Sequence, residues 1–578
     1  MTKRVFSYIC IWIFSMANAV GQSSLVPNPL DGKYFGSPVD YDYKLAGNFC
    51  ELRETHFHAG IDIKPSGKVK HDAIYSIADG YVSRIKISAG GYGIAVYIDH
   101  PEVGYTSVYA HLDALSDHLK YVVEQVQTAQ ESYEVDFLPS PAVLSVIKGE
   151  EIGKMGNTGY SFGQHLHFEI RDTKTEKPIN PFHFGLKCDD EVVPILQSLS
   201  IHGLDPDFYK IWEKRIYLNQ GLGNNISFSD PIDVPTWRAG IALQMYDKTS
   251  NTHNKQGIYS LHMYVDDSIA FSYHLDKISF NQSKYINGFH DNKVKKSEGE
   301  TFSLCYKFPG NDLEFLQKSG NGIIPVYLAQ NRKVRIEVED FYHNKRSIEF
   351  YLKRSENMIE QLSKDTSLIS IKTGEEMVIT KWNLALRFDK NSLFRNIYLS
   401  LQADTSTNRE TKYKIHDVLE PIKDPIEISI RPENHNVNMN KAIIIRTNER
   451  GTSKTNYGGT WKDGALTTKM REFGTYFLDF DTIAPTIRIV NFSPNAGKKP
   501  YFRFDVNENI HTKGDYVNDV KIKVFIDGQF VISPYSSKTN ILEIPLTDLI
   551  NGSHYLKIEA IDHSGNVAYF ESGFTVRK

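Results

Sequence analysis

Two short runs of residues carry the chemistry of this chain. His58-Ala59-Gly60-Ile61-Asp62 lies near the start, and His165-Leu166-His167 follows far along the sequence. A dication that activates water needs neutral imidazole nitrogens, often one carboxylate, and an open coordination position. Together the two runs offer three ligands for one Zn2+ per chain, and a spare imidazole. Side chains at i and i+2 of a β-strand share a face, so His165 and His167 project together while Leu166, Phe168 and Ile170 face a core. His58 and Asp62 share a face on a strand or a helix; Gly60 and the β-branched Ile61 and Ile63 favour strand or turn. Glu169 lies on the same strand face as His167, where it could orient a ligand or stand solvated. A lone histidine is more often a hydrogen-bonded structural residue than a ligand. His71, His100 and His183 are read that way, as surface or turn residues, and His56 is the nearest competitor for the site.

The elements that must hold these residues are mainly β. Tyr75 to Val82 reads as strand, turn, strand; Ile94 to Asp99 and Thr106 to Ala110 read as a hairpin turning at His100 to Gly104. Leu119, Val122, Val123 and Val126 recur at helical spacing, predicting an inserted helix within about 113–140. After Pro194 the pattern becomes alternating β segments with polar turns. Val334 to Asp340 followed by Asn344 resembles Leu556 to Asp562 followed by Asn566, each like the last hairpin of a β-sandwich. Asp481 to Pro485 reads as a linker. The expected division is 1–22 signal peptide, 23–190 histidine-bearing domain, 191–355 β-sandwich, 356–480 a β-rich domain of unassigned topology, and 481–578 an immunoglobulin-like sandwich.

Composition narrows the class. A 578-residue chain with 40% hydrophobic and 24% charged residues is ordinary folded protein. Its net charge of −4 lacks the basic footprint of a nucleic-acid binder. Lys3 and Arg4, the apolar run Val5 to Met16 and Ala17-Asn18-Ala19 make a cleavable export signal, too short to span a bilayer. Export places the chain in the periplasm or envelope, or at the surface, with no transmembrane segment after cleavage. Cys50, Cys188 and Cys305 then remain; Cys50 and Cys188 could pair, but small buried hydrophobes is the plainer reading.

The flanking residues resemble a known family. Asn48 to Arg53 leading into His56 to Ile63, then Gly104 to Leu112, then Lys148 to Gly153 with Gly156 to Gly159 and Gly163 to Glu169, are similar in order and content to the motifs of lysostaphin-type zinc endopeptidases. The resemblance covers residues 40 to 188 and implies an antiparallel-sheet peptidase domain with His58, Asp62 and His167 on zinc. It further implies that His111 and His165 are the catalytic, non-ligand histidines, and that the substrate is peptidoglycan. Tyr92, Tyr105, Tyr109 and Tyr160 near the motifs could line a groove, although aromatics of a sheet are usually core. Cys50, Phe162 and Gln164 depart from the usual motif residues, and none supplies a ligand. The downstream sandwiches would serve as spacers or as docking modules for wall or envelope proteins. The rival reading is a non-catalytic envelope scaffold or hydrolase regulator on the same fold; a third gives the β modules an adhesive or assembly role.

Overall fold

The computed structural model describes residues 30–577 apart from 31, 187, 219–222, 251, 318–319, 360–366, 406–409, 434–437, 449 and 513–519. The expected signal peptide lies outside the described residues. Strands β1 (Leu45–Gly47), β2 (Ile61–Ile63), β3 (Ala73–Tyr75), β4 (Gly80–Ile87), β5 (Ile94–His100), β6 (Tyr105–Leu115), β7 (Val135–Phe137), β8 (Ser145–Val146), β9 (Glu151–Met155), β10 (Leu166–Asp172) and β11 (Pro178–Ile179) build one sheet. Its main path runs β1-β2-β10-β6-β5-β4-β7, and its ladders are antiparallel. The hairpin expected around His100 to Gly104 is β5–β6.

The alternation of β10 explains its central place. Leu166, Phe168 and Ile170 join Ile61, Ile63, Val96, Ile98 and Tyr109 in one buried core, while His167, Glu169 and Arg171 emerge on the opposite face. Helix α1 (Asp117–Gln130) forms within the expected insertion, packing Leu119 and Val123 inward and stopping at Glu131, whose left-handed φ of 46° ends the last turn. His100 corrects an expectation: it is buried, with Nδ1 donating to the Asp79 carbonyl at 2.9 Å and Nε2 2.8 Å from Ser107 Oγ. A turn-edge imidazole with two partners can be enclosed without penalty.

Downstream, facing sheets enclose separate cores. The strands Ile195–Leu204 and Arg238–Tyr246 face Ser260–Val265, Arg332–Glu339 and Lys345–Arg354 across one of them. A second lies between Ile371 and Leu478, and a third between Ala496 and Val576. The first of these cores also takes in Phe49, Cys50 and Phe57 from the histidine-bearing segment. Phe57 packs edge-on to Phe289 and Phe315, at ring distances of 5.5 and 5.6 Å. That insertion ties the segment before His58 to the next domain. Phe57→Ala should therefore destabilise the chain by about 3–5 kcal/mol, seen as an earlier urea transition, whereas truncating the 95% exposed Phe162 should leave the transition unchanged.

Candidate metal centre

The register of β2 on β10 sets Asp62 directly opposite His167. His58, in the turn leading into β2, folds over the same face. Gly60 permits this, because a Cβ there would collide with the Phe168 carbonyl. The result is a triangle: His58 Nε2, His167 Nδ1 and Asp62 Oδ1 lie 3.0 Å apart along all three edges. All three side chains are buried.

Hydrogen bonds on the outer side fix what this triangle presents. His58 Nδ1 donates to the Asn48 carbonyl at 2.7 Å, so Nε2 carries the lone pair. His167 Nε2 donates to Glu169 Oε1 at 2.8 Å, so Nδ1 does the same. Asp62 Oδ2 accepts from Arg53 at 2.6 Å, leaving Oδ1 for the centre. Glu169 is in turn held by Arg171 Nε at 2.6 Å and by the Tyr92 hydroxyl. Three acceptors thus converge on one point with no donor among them, an arrangement that demands a positive charge. Burial opposes protonation of His167, yet Asp62 and Glu169 outweigh it and raise its pKa to about 9, so at neutral pH the positive charge is either a proton on Nδ1 or a cation that displaces it. Burial likewise opposes ionisation of Glu169, and Arg171 and His167 overcome it, holding its pKa near about 2. His58 is pulled down, mainly by burial.

Two further imidazoles stand on the open side. His165 Nδ1 donates to the Gly163 carbonyl at 2.8 Å, and its Nε2 lies 3.5 Å from Asp62 Oδ1. His111 Nδ1 donates to the Thr158 carbonyl at 2.8 Å, so both rings turn a bare Nε2 inward. The His111 and His165 ring centroids are 4.9 Å apart. His111 sits at φ 61°, beside register shifts of β6 against β5 and β9. A non-glycine residue in the left-handed region at a bulge re-aims its side chain out of the strand alternation. Burial, followed by repulsion from His167 and His165, lowers the His111 pKa to about 3, so it is neutral.

All five expected histidine and aspartate positions therefore meet in one place, with Glu169 buried behind His167. The groove tyrosines divide. Tyr109 is fully buried with its hydroxyl bonded to Ile77 N and Ser107, which corrects its expected place in a groove. The strand face that carries it points to the core. Tyr92 is also no groove wall: its ring lies 5.0 Å from that of His167, and its hydroxyl holds Glu169. Tyr105 packs on Phe184, and Tyr160 is 57% exposed on the rim. His56 is exposed and outside the triangle. Cys50, Cys188 and Cys305 are free thiols.

Sequence reasoning missed the support that comes from the next domain. The Asn48 side chain, beside the carbonyl that orients His58, is locked to Gly257 by two 2.8 Å hydrogen bonds. Arg171 lies over Phe280 at 4.4 Å, from the same downstream domain. The rim also has a distant contributor. Ser537 N and Oγ donate to the Ala89 carbonyl at 3.2 and 3.0 Å. Lys538 reaches the Ser161 carbonyl and stands 4.7 Å from the Phe162 ring.

Donors 3.0 Å apart leave a point about 2.0 Å from each, the length of a zinc–nitrogen or zinc–oxygen bond. The donor set therefore fits a zinc ion, and the fold is that of a metal-binding antiparallel β domain. Residues 56–131 and 143–181 match the model of Peptidase family M23, and residues 370–481 match that of the Zu5-like domain. The chain thus contains an M23 peptidase domain, which bears out the lysostaphin-type resemblance.

The DD-carboxypeptidase/endopeptidase Mpg of Neisseria meningitidis serogroup B is 34% identical over 136 residues, 23% of this chain and 24% of that protein. An uncharacterized metalloprotease of Haemophilus influenzae is 33% identical over 113 residues, 20% of this chain and 18% of that protein. The matched part spans less than a quarter of the length of these relatives. The catalytic domain of lysostaphin from Staphylococcus simulans is 19% identical, covering 25% of this chain and 93% of that one at a TM-score of 0.19, too low to support a functional reading. Glu169→Gln should keep the fold but weaken zinc binding about 10–100-fold, as measured by competition with a chromogenic chelator; unchanged affinity would refute the orienting role of Glu169.

Proposed function

We propose that the chain is an exported zinc metalloendopeptidase that hydrolyses peptide bonds in the stem or cross-bridge peptides of peptidoglycan. The observation that carries this reading is the buried triangle of three lone pairs with two bare imidazole nitrogens on its open side. His58, Asp62 and His167 would hold the ion, which supplies Lewis acidity toward a carbonyl and acidifies water. His165 Nε2 takes the proton of the attacking water, since its ring is pinned through Nδ1 and is the more open of the two. His111 Nε2 is likewise bare, and on receiving a proton it becomes a donor to the oxyanion or to the leaving amine. Glu169 and Arg171 keep His167 in the tautomer that leaves Nδ1 free.

The peptidoglycan substrate rests on the M23 match and on the name of the Neisseria relative. Export rests on the N-terminal pattern, and no described helix is long and apolar enough to cross a membrane. The downstream sandwiches, the last of them immunoglobulin-like, act in this reading as positioning modules that meet wall or envelope partners.

His167→Ala should lose zinc, measured by metal analysis at neutral pH. His111→Ala and His165→Ala should retain it while turnover falls about 10²–10⁴-fold; retained activity in both refutes the assigned roles. Digestion of purified cross-linked peptidoglycan, with fragments identified by mass spectrometry, tests the substrate. Unchanged muropeptides from zinc-loaded protein would favour the scaffold reading.

A further inference from the structure

The two similar hairpins at Asp340–Asn344 and Asp562–Asn566 sit in matching surroundings. In the first, Asp340 meets Asp190, from the segment entering its sandwich, and Asp247, the residue just after the strand Arg238–Tyr246. In the second, Asp562 meets Asp481, again from the entering segment, and Glu508, the residue just after the strand Tyr501–Asn507. Within each group, one ligand oxygen per residue lies within 4.8 Å of the others. The same asparagine clamps each cluster. Asn344 Nδ2 donates to Asp340 Oδ2 at 2.7 Å and to the Asp190 carbonyl at 3.3 Å. Asn566 Nδ2 donates to Asp562 Oδ2 at 2.8 Å and to the Asp481 carbonyl at 3.1 Å.

Hydrogen bonding leaves oxygens over in both places. Asp247 Oδ1 and Asp190 Oδ2 in the first cluster, and Glu508 Oε2 in the second, are buried without a partner. Asp247 is only 3% exposed and Glu508 9%. Repulsion is uncompensated: the charged neighbours acting on Asp247 are Asp340 and Asp190, and those acting on Glu508 are Asp562 and Asp481. Burial, then these like charges, pushes Asp247 up to about 8; burial also lifts Glu508 to about 7, against two backbone N–H groups that oppose the rise. The same geometry, three buried or half-buried carboxylates with unpartnered oxygens under one asparagine clamp, thus occurs twice on matching strands.

We propose that each cluster is a calcium site, so that the chain binds two Ca2+ ions, one where each sandwich is entered. All-oxygen, carboxylate-rich donors select a hard dication, and calcium–oxygen bonds of about 2.3–2.6 Å place ligands up to about 5 Å apart across the ion. The zinc centre, with its two imidazoles, is a separate site of different chemistry. The ions act as joint locks. Beyond Asp340, Phe341 and Tyr342 pack on Phe182 of the M23 domain at ring distances of 5.2 and 5.8 Å. Beyond Asp562, the Ser564 carbonyl accepts from Lys441 of the preceding domain at 2.7 Å. A bound ion therefore joins the entering segment, the sandwich and the hairpin tip that leans on the body before it.

The test is equilibrium dialysis of the purified, zinc-loaded chain against 45Ca2+, with Asp247→Asn, Glu508→Gln and the double variant in parallel. These neutral isosteres remove the charge without removing volume, and a thermal midpoint in calcium-free buffer at or above wild type verifies folding. Wild type should bind two Ca2+ saturably within about 10⁻⁵–10⁻³ M, each single variant one and the double variant none, with zinc content unchanged throughout. Calcium should raise the thermal midpoint of wild type and not that of the double variant. No saturable binding up to about 10 mM, or two ions retained in the variants, overturns the proposal. So does a midpoint that rises in the variants while calcium leaves wild type unmoved, the signature of carboxylates that merely share protons.

Discussion

Three hydrogen-bond acceptors 3.0 Å apart in a buried place are unstable unless something positive lies between them. The first domain is organised to hold that conflict still. The β2–β10 register supplies two corners, a turn through Gly60 supplies the third, and an outer layer of hydrogen-bond partners consumes the other face of every ligand. Arg53, the Asn48 carbonyl and the Glu169–Arg171 pair decide which atom of each group looks inward. The atom that each ligand turns inward is thus set before any ion arrives, and so are the orientations of His111 and His165.

Part of that layer belongs to the next domain. Asn48 is tied to Gly257, Phe57 is buried with Phe289 and Phe315, and Phe280 covers Arg171. The first downstream sandwich therefore backs the candidate metal centre directly. This coupling also explains why Cys50 can replace a smaller residue: it is buried in the shared core, where a thiol packs as a small hydrophobe.

Much of the centre was legible in the sequence because strand alternation is a strong rule. It paired His165 with His167, sent Phe168 and Ile170 inward and put Glu169 beside its histidine. The helical spacing of Leu119 and Val123 located α1. What escaped had physical causes. Tyr109 is on the core-facing side of β6, which motif proximity cannot reveal, and His100 is enclosed because two partners outside its own turn satisfy it. Ligand-orienting groups such as the Asn48 and Thr158 carbonyls are backbone atoms, and any residue type offers those. The repeated Asp–Asn hairpins were visible, but their carboxylate partners come from remote segments that only the fold assembles.

The contacts from Ser537 and Lys538 to Ala89 and Ser161 place residues of the last domain on the rim beside His111 and His165. Domain shuffling is usually imagined as the transfer of self-sufficient parts. Here a transplant of the M23 segment alone would carry the histidines and Asp62 but leave behind the residues that close part of the rim around them. The rim of this site is a property of the closed circuit of the chain, and it is inherited only when distant segments travel together.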